Sequence, residues 1–365
     1  MKGDLLVVDG RIAAVLSKRP RVEATEMEVE GLYVAPGFID LHVHGGGGKN
    51  FSEGTGKAIQ DIVEFHMAHG TTGLVATIET SPLQVIKKVL KKVAEVNLPV
   101  LLGVHLEGPF LSPKQKGAHD PNFLLPPSLK IWERSVKGFE HLVKIVTLAP
   151  EVPGALALLP RIQEIGAIPS LGHSDATYAE ALGAVRAGVR LFTHLGNAMR
   201  GLHHREPGAV GAALDSDAYV ELICDGAHLH QAFVRLVARI KGYDRICLVT
   251  DAISAAGLPD GQCFLGGLPV LVQGGVARLP DGTLAGSTLT LDQAVRNFWE
   301  FTGCSLPEAV RCATLTPAQL LEVDERKGSL EVGKDADLVI FDKDFNVHYT
   351  ILGGKILYVR DIRRS

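Results

Sequence analysis

Residues 38–44 read FIDLHVH, an apolar, β-rich run that closes on two histidines two positions apart. Seven further runs of the same texture follow: GLVATIE (73–79), VLLGVHLE (100–107), VKIVTLA (143–149), IPSLGH (168–173), RLFTHL (190–195), YVELICD (219–225) and ICLVTD (246–251). They start 22 to 43 residues apart. Helical patterns fill most of the intervals. SPLQVIKKVLKKVAEV opens with Ser81 as N-cap and Pro82 at the first helical position, and TYAEALGAVRAG and HQAFVRLVARIKG follow later strands. Eight strands alternating with helices predict an α/β fold, a parallel TIM-like (β/α)8 barrel. The runs are nearly all apolar rather than alternating, as strands buried on both faces should be.

The two chain ends have a different rhythm. LLVVD and RIAAVL, joined by Asp9-Gly10, read as a hairpin. ADLVIFD, VHYTILGG and KILYVRD read as strands at the other end. Both ends therefore predict one small β-sandwich domain, residues 1–35 with 325–365, around a barrel spanning 36–324. Between strands three and four, GPFLSPKQKGAHDPNFLLPP forms a long Pro/Gly-rich loop of the kind that is often functional. After strand eight, CFLGGLPVLVQGGVARLPDG reads as β hairpins, and helices near 289–301 and 305–321 lead back to the β domain.

Composition excludes several classes. The chain has 365 residues, 46% hydrophobic and 21% charged, the mix of a globular protein. Its net charge of −4 gives no global basic field to recruit nucleic acid. The KKVLKK run at 87–92 reads as a solvated helix face. Five cysteines without a C-x-x-C pair argue against a disulfide framework and a cysteine zinc site. No 18-residue apolar run predicts a membrane span, and MKGDLLVVDG does not read as a signal peptide. The expectation is a cytoplasmic enzyme with a small-molecule substrate.

The chemistry lies in the polar residues that end the runs. His42 and His44 close the first run, Glu107 the third, His173 the fifth and Asp251 the eighth, and His194 stands near the end of the sixth. Barrel enzymes build their sites on that face, from the ends of separate strands. Residues i and i+2 of a strand point the same way, so His42 and His44 face one side together. His42 and His44 in isolation would read as a pair of surface histidines, His173 or His194 alone as a hydrogen-bonded core residue, and Asp251 alone as a helix cap. Together, four histidines and two carboxylates form a ligand class suited to zinc or a similar divalent ion. Other polar features read blandly. Gly45–Gly48 with Lys49 fails the phosphate-loop pattern at Asn50, and reads as a tight exit bringing backbone to the metal site. His66, His69, His141, His203 and His204 need no special role.

Several segments carry a family resemblance: APGFIDLHVHG, HLEGPFLSPKQKGAHDPNF, GHSDATY, THLGNAM, REPG, DGAHLH, LVTDA and LAGSTLT. Together with GKDADLVIFD near the end, they resemble the N-acetylglucosamine-6-phosphate deacetylases of the amidohydrolase superfamily over nearly the whole chain. The resemblance implies that Glu107, His173 and His194 hold a main metal and that His42 and His44 hold a second. One or two divalent ions per subunit follow, zinc first, with iron, manganese and cobalt open. It implies that Asp251 is the catalytic carboxylate and that His119, with Ala118 beside it, meets the acetyl carbonyl. Asn197, Ala198, Arg205, Asp225, Gly226, Ala227, His228, Leu284, Ala285 and Gly286 match sugar-phosphate contacts. Arg205 and His228 would reach the phosphate in a neighbouring subunit, making a homodimer.

The implied reaction is removal of acetate from N-acetylglucosamine 6-phosphate, leaving glucosamine 6-phosphate, in amino-sugar catabolism and recycling. Alternatives are the galacto epimer as substrate, another amidohydrolase chemistry, or a non-catalytic sugar-phosphate sensor. Many cyclic-amide hydrolases bridge two metals with a modified lysine at the end of strand four. Here that strand ends TLAPE and its lysine, Lys144, sits at the start, so Glu107 would be the bridge.

Overall fold

The computed structural model describes residues 3–17 and 23–360. Eight strands form one parallel sheet in strict chain order. They are β1 (Phe38–Val43), β2 (Thr71–Glu79), β3 (Leu101–Glu107), β4 (Val143–Leu148), β5 (Ile168–Leu171), β6 (Leu191–Phe192), β7 (Tyr219–Leu222) and β8 (Ile246–Leu248). All eight runs read from sequence are strands. The sheet closes beyond the end of β8, where Asp251 N–H donates to His42 O at 2.9 Å and His44 N–H to Ala252 O at 2.8 Å. The barrel is thus the TIM-like one expected.

Helices follow the strands on the outside: α1 (Gly56–Met67), α2 (Leu83–Val96), α3 (Leu129–Val136), α4 (Ala155–Glu164), α5 (Tyr178–Arg186), α6 (Gly208–Leu214), α7 (Gln231–Lys241) and α8 (Leu291–Thr302). Most are apolar on one face, and the short α6 is apolar and buried nearly all round. In α2, Ile86, Val89, Leu90 and Val93 are buried at helical spacing, while the lysines of the KKVLKK run stay in solvent or half-buried. Two details differ from the sequence reading. The cap of α2 is Pro82, not Ser81, and makes no side-chain cap bond. The helix expected over 305–321 is two, Leu306–Arg311 and Leu315–Leu320. Pro317 cannot donate to the Ala313 carbonyl and its ring crowds it. That carbonyl instead accepts from Ile39 N at 2.8 Å, which ties the break to β1.

The chain ends meet as expected. Tyr33–Pro36, Leu338–Phe341, Val347–Leu352 and Lys355–Val359 form one antiparallel sheet. The hairpin Asp4–Val8/Arg11–Leu16 sits against it: Ala336 N donates to Gly10 O and Ile12 N to Lys334 O. These layers make the small β-sandwich, with Leu338, Ile340 and Ile351 at its core. Residues 1, 2, 18–22 and 361–365, which the sequence reading also gave to this domain, lie outside the described residues. The hairpins read after strand eight are a three-stranded sheet, Gly261–Leu265, Leu268–Gln273 and Val276–Arg278, with its own small core around Val270, Val272 and Ala277. Among the described residues, no helix is long and apolar enough to cross a membrane.

Candidate active site and metal centre

The six strand-end residues converge at the C-terminal mouth of the barrel. His173 and His194 lie just past β5 and β6, and both rings reach Glu107 at the end of β3. Each Nε2 stands 3.0 Å from Glu107 Oε1, and the two Nε2 atoms are 3.0 Å apart. On the other side, His44 Nε2 lies 3.2 Å from Glu107 Oε2, and His42 Nε2 is 3.2 Å from His44 Nε2. Two groups result, His42–His44–Glu107 and Glu107–His173–His194, with the ligand-type atoms of each within 4.8 Å of one another. Glu107 belongs to both. Asp251 Oδ1 stands beside the first group, 3.2 Å from His44 Nε2 and 3.4 Å from His42 Nε2.

The backbone is bent to bring these groups in. His173, His194, Ala198 and Asp251 all have positive φ, at 48°, 32°, 47° and 50°. Non-glycine residues pay about 1–3 kcal/mol for such conformations, and they cluster where function over-determines the geometry. Here they mark the points where chain leaving a strand turns back over the barrel mouth.

Burial and charge work together. Against the penalty of burial, Asp251 and Glu107 raise the His42 ring to about 10, and Asp251, Glu107 and Glu79 raise His44 as well. Burial pushes Glu107 up, but the neighbouring imidazoles hold it well below the usual carboxylate range. Asp251 is held low in the same way by His42 and His44. A site that favours protonated histidines next to ionised carboxylates is one that favours positive charge. Nitrogen and carboxylate donors, buried and converging, fit a divalent ion of the zinc class.

A second tier of residues went unnoticed in the sequence. Glu221, on β7 and wholly buried, places Oε2 3.1 Å from His42 Nδ1 and 3.1 Å from the His194 N–H. Glu79, at the end of β2, has Oε2 3.5 Å from His44 Nδ1, an ion-pair distance rather than a formed hydrogen bond. Below them runs a polar belt inside the barrel. His105 bonds Thr147 at 2.7 Å and Thr77 at 3.3 Å, Thr147 bonds Thr193 at 2.7 Å, and Thr193 bonds Ser170 at 2.6 Å. His105 packs edge-on beneath His42, with ring centroids 4.7 Å apart. Asp40, with its pKa pushed up by burial to about 7, takes the Thr250 hydroxyl at 2.7 Å and braces the barrel's closing seam.

The histidine–carboxylate cluster opens into a cavity of about 480 Å³. His119 is on its wall. The Thr80 N–H donates to His119 Nδ1 at 3.2 Å, so the neutral ring carries its proton on Nε2, which lies 3.3 Å from Glu107 Oε2. Ala118, Asn197, Ala198, Leu284 and Gly286 also line the cavity, and so does His228, which the resemblance had reaching into a neighbouring subunit instead. Asp225, Gly226, Ala227, Ala285 and Arg205 do not. Asp225 instead orients His228, taking its Nδ1 at 2.6 Å and its backbone N–H at 2.7 Å. Ala285 is fully buried beneath the wall. Arg205 sits in an exposed loop, where Nη1 meets His204 Nε2 at 2.7 Å and, among the described residues, no carboxylate pairs with it. Lys114, Lys116, Asp281 and Thr283 line the cavity and were not expected there.

Of the histidines read as bland, His66 and His69 each have a partner at one ring nitrogen, while the buried His66 Nδ1 has none. His66 is buried and bonds Gly45 O at 3.0 Å, and His69 pairs with Asp292 at 3.0 Å. The Gly45–Gly46 turn is glycine for packing reasons: a Cβ on Gly45 would lie 2.1 Å from Lys49 O, and one on Gly46 2.4 Å from the Phe65 ring. The tight exit is real, and its constraint comes from its own hairpin and from α1.

Comparison with known proteins agrees. The amidohydrolase family description matches residues 33–357. An N-acetylglucosamine-6-phosphate deacetylase of Lysinibacillus sphaericus is 37% identical, covering 97% of this chain and 92% of its own. An N-acetylgalactosamine-6-phosphate deacetylase of Escherichia coli O157:H7 is 38% identical, covering 96% of this chain and 94% of its own. A solved N-acetyl-D-glucosamine-6-phosphate deacetylase variant of Mycobacterium smegmatis, in complex with N-acetyl-D-glucosamine-6-phosphate, superposes with a TM-score of 0.92 at 36% identity, covering 96% of this chain and 93% of that one. By its barrel, its strand-end histidines and carboxylates, and these matches, the chain belongs to the amidohydrolase family, in the branch that holds the amino-sugar-phosphate deacetylases.

Proposed function

We propose that the protein is a metal-dependent hydrolase that cleaves the amide bond of N-acetyl-D-glucosamine 6-phosphate, giving D-glucosamine 6-phosphate and acetate. The observation that carries the reading is Glu107 shared by two buried ligand groups, with Asp251 and His119 facing one cavity beside it. Relatives of that activity at 36–39% identity support it. None of the residues the reaction would need, His42, His44, Glu107, His173, His194 and Asp251, is replaced, which favours an enzyme over a non-catalytic sensor. The galacto epimer stays as a second reading because the Escherichia coli relative of that name is as similar as the gluco enzymes.

Glu107, His173 and His194 would hold the main ion, and His42 and His44, with Glu107, a second. Such an ion lowers the pKa of bound water from about 15.7 to about 7 and polarises a carbonyl. The chain's own groups then do the rest. Asp251 takes the proton of the attacking water and returns it to the amine nitrogen as the C–N bond breaks. His119, with its proton fixed on Nε2 by Thr80, donates to the acetyl oxygen as charge develops there. Asn197, the Ala118 and Ala198 backbone, and the 284–286 turn seat the sugar. Arg205 offers a guanidinium without an acidic partner among the described residues, which suits the phosphate of a substrate in a second subunit. His228, held by Asp225, would join it in a homodimer. The division into 1–35 with 325–365 and a barrel over 36–324 fits this plan, since every proposed site residue falls in the second part. A cytoplasmic setting suits a phosphorylated substrate. Parallel kcat/KM measurements on the gluco and galacto 6-phosphates and on the unphosphorylated sugar test the reading. A preference for the galacto compound would move the assignment to the epimer, and equal turnover of unphosphorylated sugar would remove the phosphate contacts.

A further inference from the structure

We infer that Glu221 and Glu79 are positioning residues of the metal centre, each holding one ring of the His42–His44 pair with its proton on Nδ1 and its Nε2 turned inward. The inference rests on reading the strand-end cluster as a metal centre.

The geometry is one-sided. Both Nε2 atoms of the pair face Glu107 and Asp251 at 3.2–3.6 Å. Both Nδ1 atoms face outward, His42 to Glu221 at 3.1 Å and His44 to Glu79 at 3.5 Å. A neutral imidazole carries one proton, and the group at its far nitrogen decides where. A carboxylate is an acceptor only, so it draws the proton to Nδ1 and leaves the Nε2 lone pair for a cation.

The choice of carboxylates needs explaining, because charge is costly here. Glu221 is fully buried and Glu79 is 4% exposed. Among the described residues, neither pairs with a lysine or arginine, and Glu221 Oε1 and both Glu79 oxygens lack a hydrogen-bond partner. Burying a carboxylate with part of its hydrogen-bonding capacity unmet is costly. A neutral acceptor would satisfy the His194 N–H that Glu221 also takes at 3.1 Å. The charge is therefore used on the histidine ring and on the positive centre behind it. Through that one Oε2, Glu221 also fixes the turn carrying His194 relative to His42, so a single side chain on β7 sets the spacing of the two ligand groups.

The test is a cobalt titration of the chelator-stripped full chain, read by visible absorption, with the melting temperature of the metal-free protein and ring-nitrogen NMR of His42 in the zinc-loaded chain alongside. Glu221→Gln keeps the size and can still accept the His194 N–H, so it isolates the charge. The expected result is a 10–100-fold loss of affinity for one cobalt per chain, with a changed absorption envelope and a His42 ring no longer confined to the Nδ1–H form. Glu79→Gln, on the cavity wall, is the second arm, with the same direction of effect from His44. If Glu221→Gln does not fold, Glu79→Gln decides the matter. Unchanged cobalt affinity and spectrum in either folded variant overturns that residue's assignment. A wild-type chain that takes up no cobalt overturns the metal-centre reading itself, which is a separate outcome.

Discussion

Replacing Asp251 by asparagine separates proton transfer from metal holding. The residue has positive φ, 50°, which asparagine tolerates, and its backbone N–H bond to His42 O does not depend on the side chain. Size and seam are thus preserved. Two things are lost. One is the proposed proton carrier, a role worth about 10²–10⁴ in rate, or about 3–5 kcal/mol of barrier. The other is one negative charge, 3.2 Å from His44 Nε2 and 3.4 Å from His42 Nε2, which weakens cation retention on that side. The assay is acetate release at saturating substrate, with metal content measured on the same samples over a range of added metal. The expected outcome is kcat down by about a thousandfold with metal stoichiometry restored by modest excess. A kcat within tenfold of wild type, or one fully rescued by excess metal, refutes the proton-carrier role and leaves Asp251 as a ligand.

Other outcomes follow from the same geometry. His119→Asn should cost about 10²–10³ in kcat with metal content unchanged, as loss of one preset donor does, and a parallel loss of metal would make His119 a ligand instead. Arg205→Lys should raise KM for the phosphorylated sugar and spare kcat, because an ammonium cannot reproduce the planar fork. Mixing inactive Arg205→Ala and Asp251→Asn chains should restore activity if Arg205 serves the neighbouring site, and should not if it serves its own. His66 gives a pH signature. Its ring is pulled by burial from 6.5 to about 4, so the unfolded chain binds that proton first and stability falls as pH drops from 6.5 towards 4. The loss is on the order of 3 kcal/mol, read as denaturation midpoints across that window, and His66→Gln should flatten this part of the profile.

Much of this architecture was legible because parallel barrel strands are apolar on both faces and end in ligand-type residues. FIDLHVH announces its role by breaking an apolar run with histidines at i and i+2. The belt beneath the site was legible by the same rule and was missed. Thr77 lies two positions before Glu79 and His105 two before Glu107, so they share the inward face. Glu221 was the plainest signal of all, a charge in the middle of the apolar part of YVELICD. What no periodicity carries is the backbone turn at His173, His194 and Asp251, because positive φ there is imposed by tertiary closure rather than by residue type. Arg205 outside its own cavity, and Asp225 as a brace for His228 rather than a wall residue, likewise depend on loop paths that strand patterns do not encode.

The central claim is amide hydrolysis of one phosphorylated amino sugar at a metal centre built on Glu107. Its most direct measurement is the release of acetate and glucosamine 6-phosphate from N-acetylglucosamine 6-phosphate by the full chain, before chelation, after chelation and after metal is returned. The account predicts one acetate per amine, activity abolished by chelation and restored by a divalent ion, and no restoration in Glu107→Gln. No turnover of the phosphorylated sugar by the metal-loaded chain, or turnover that survives chelation and the loss of Glu107, would contradict it.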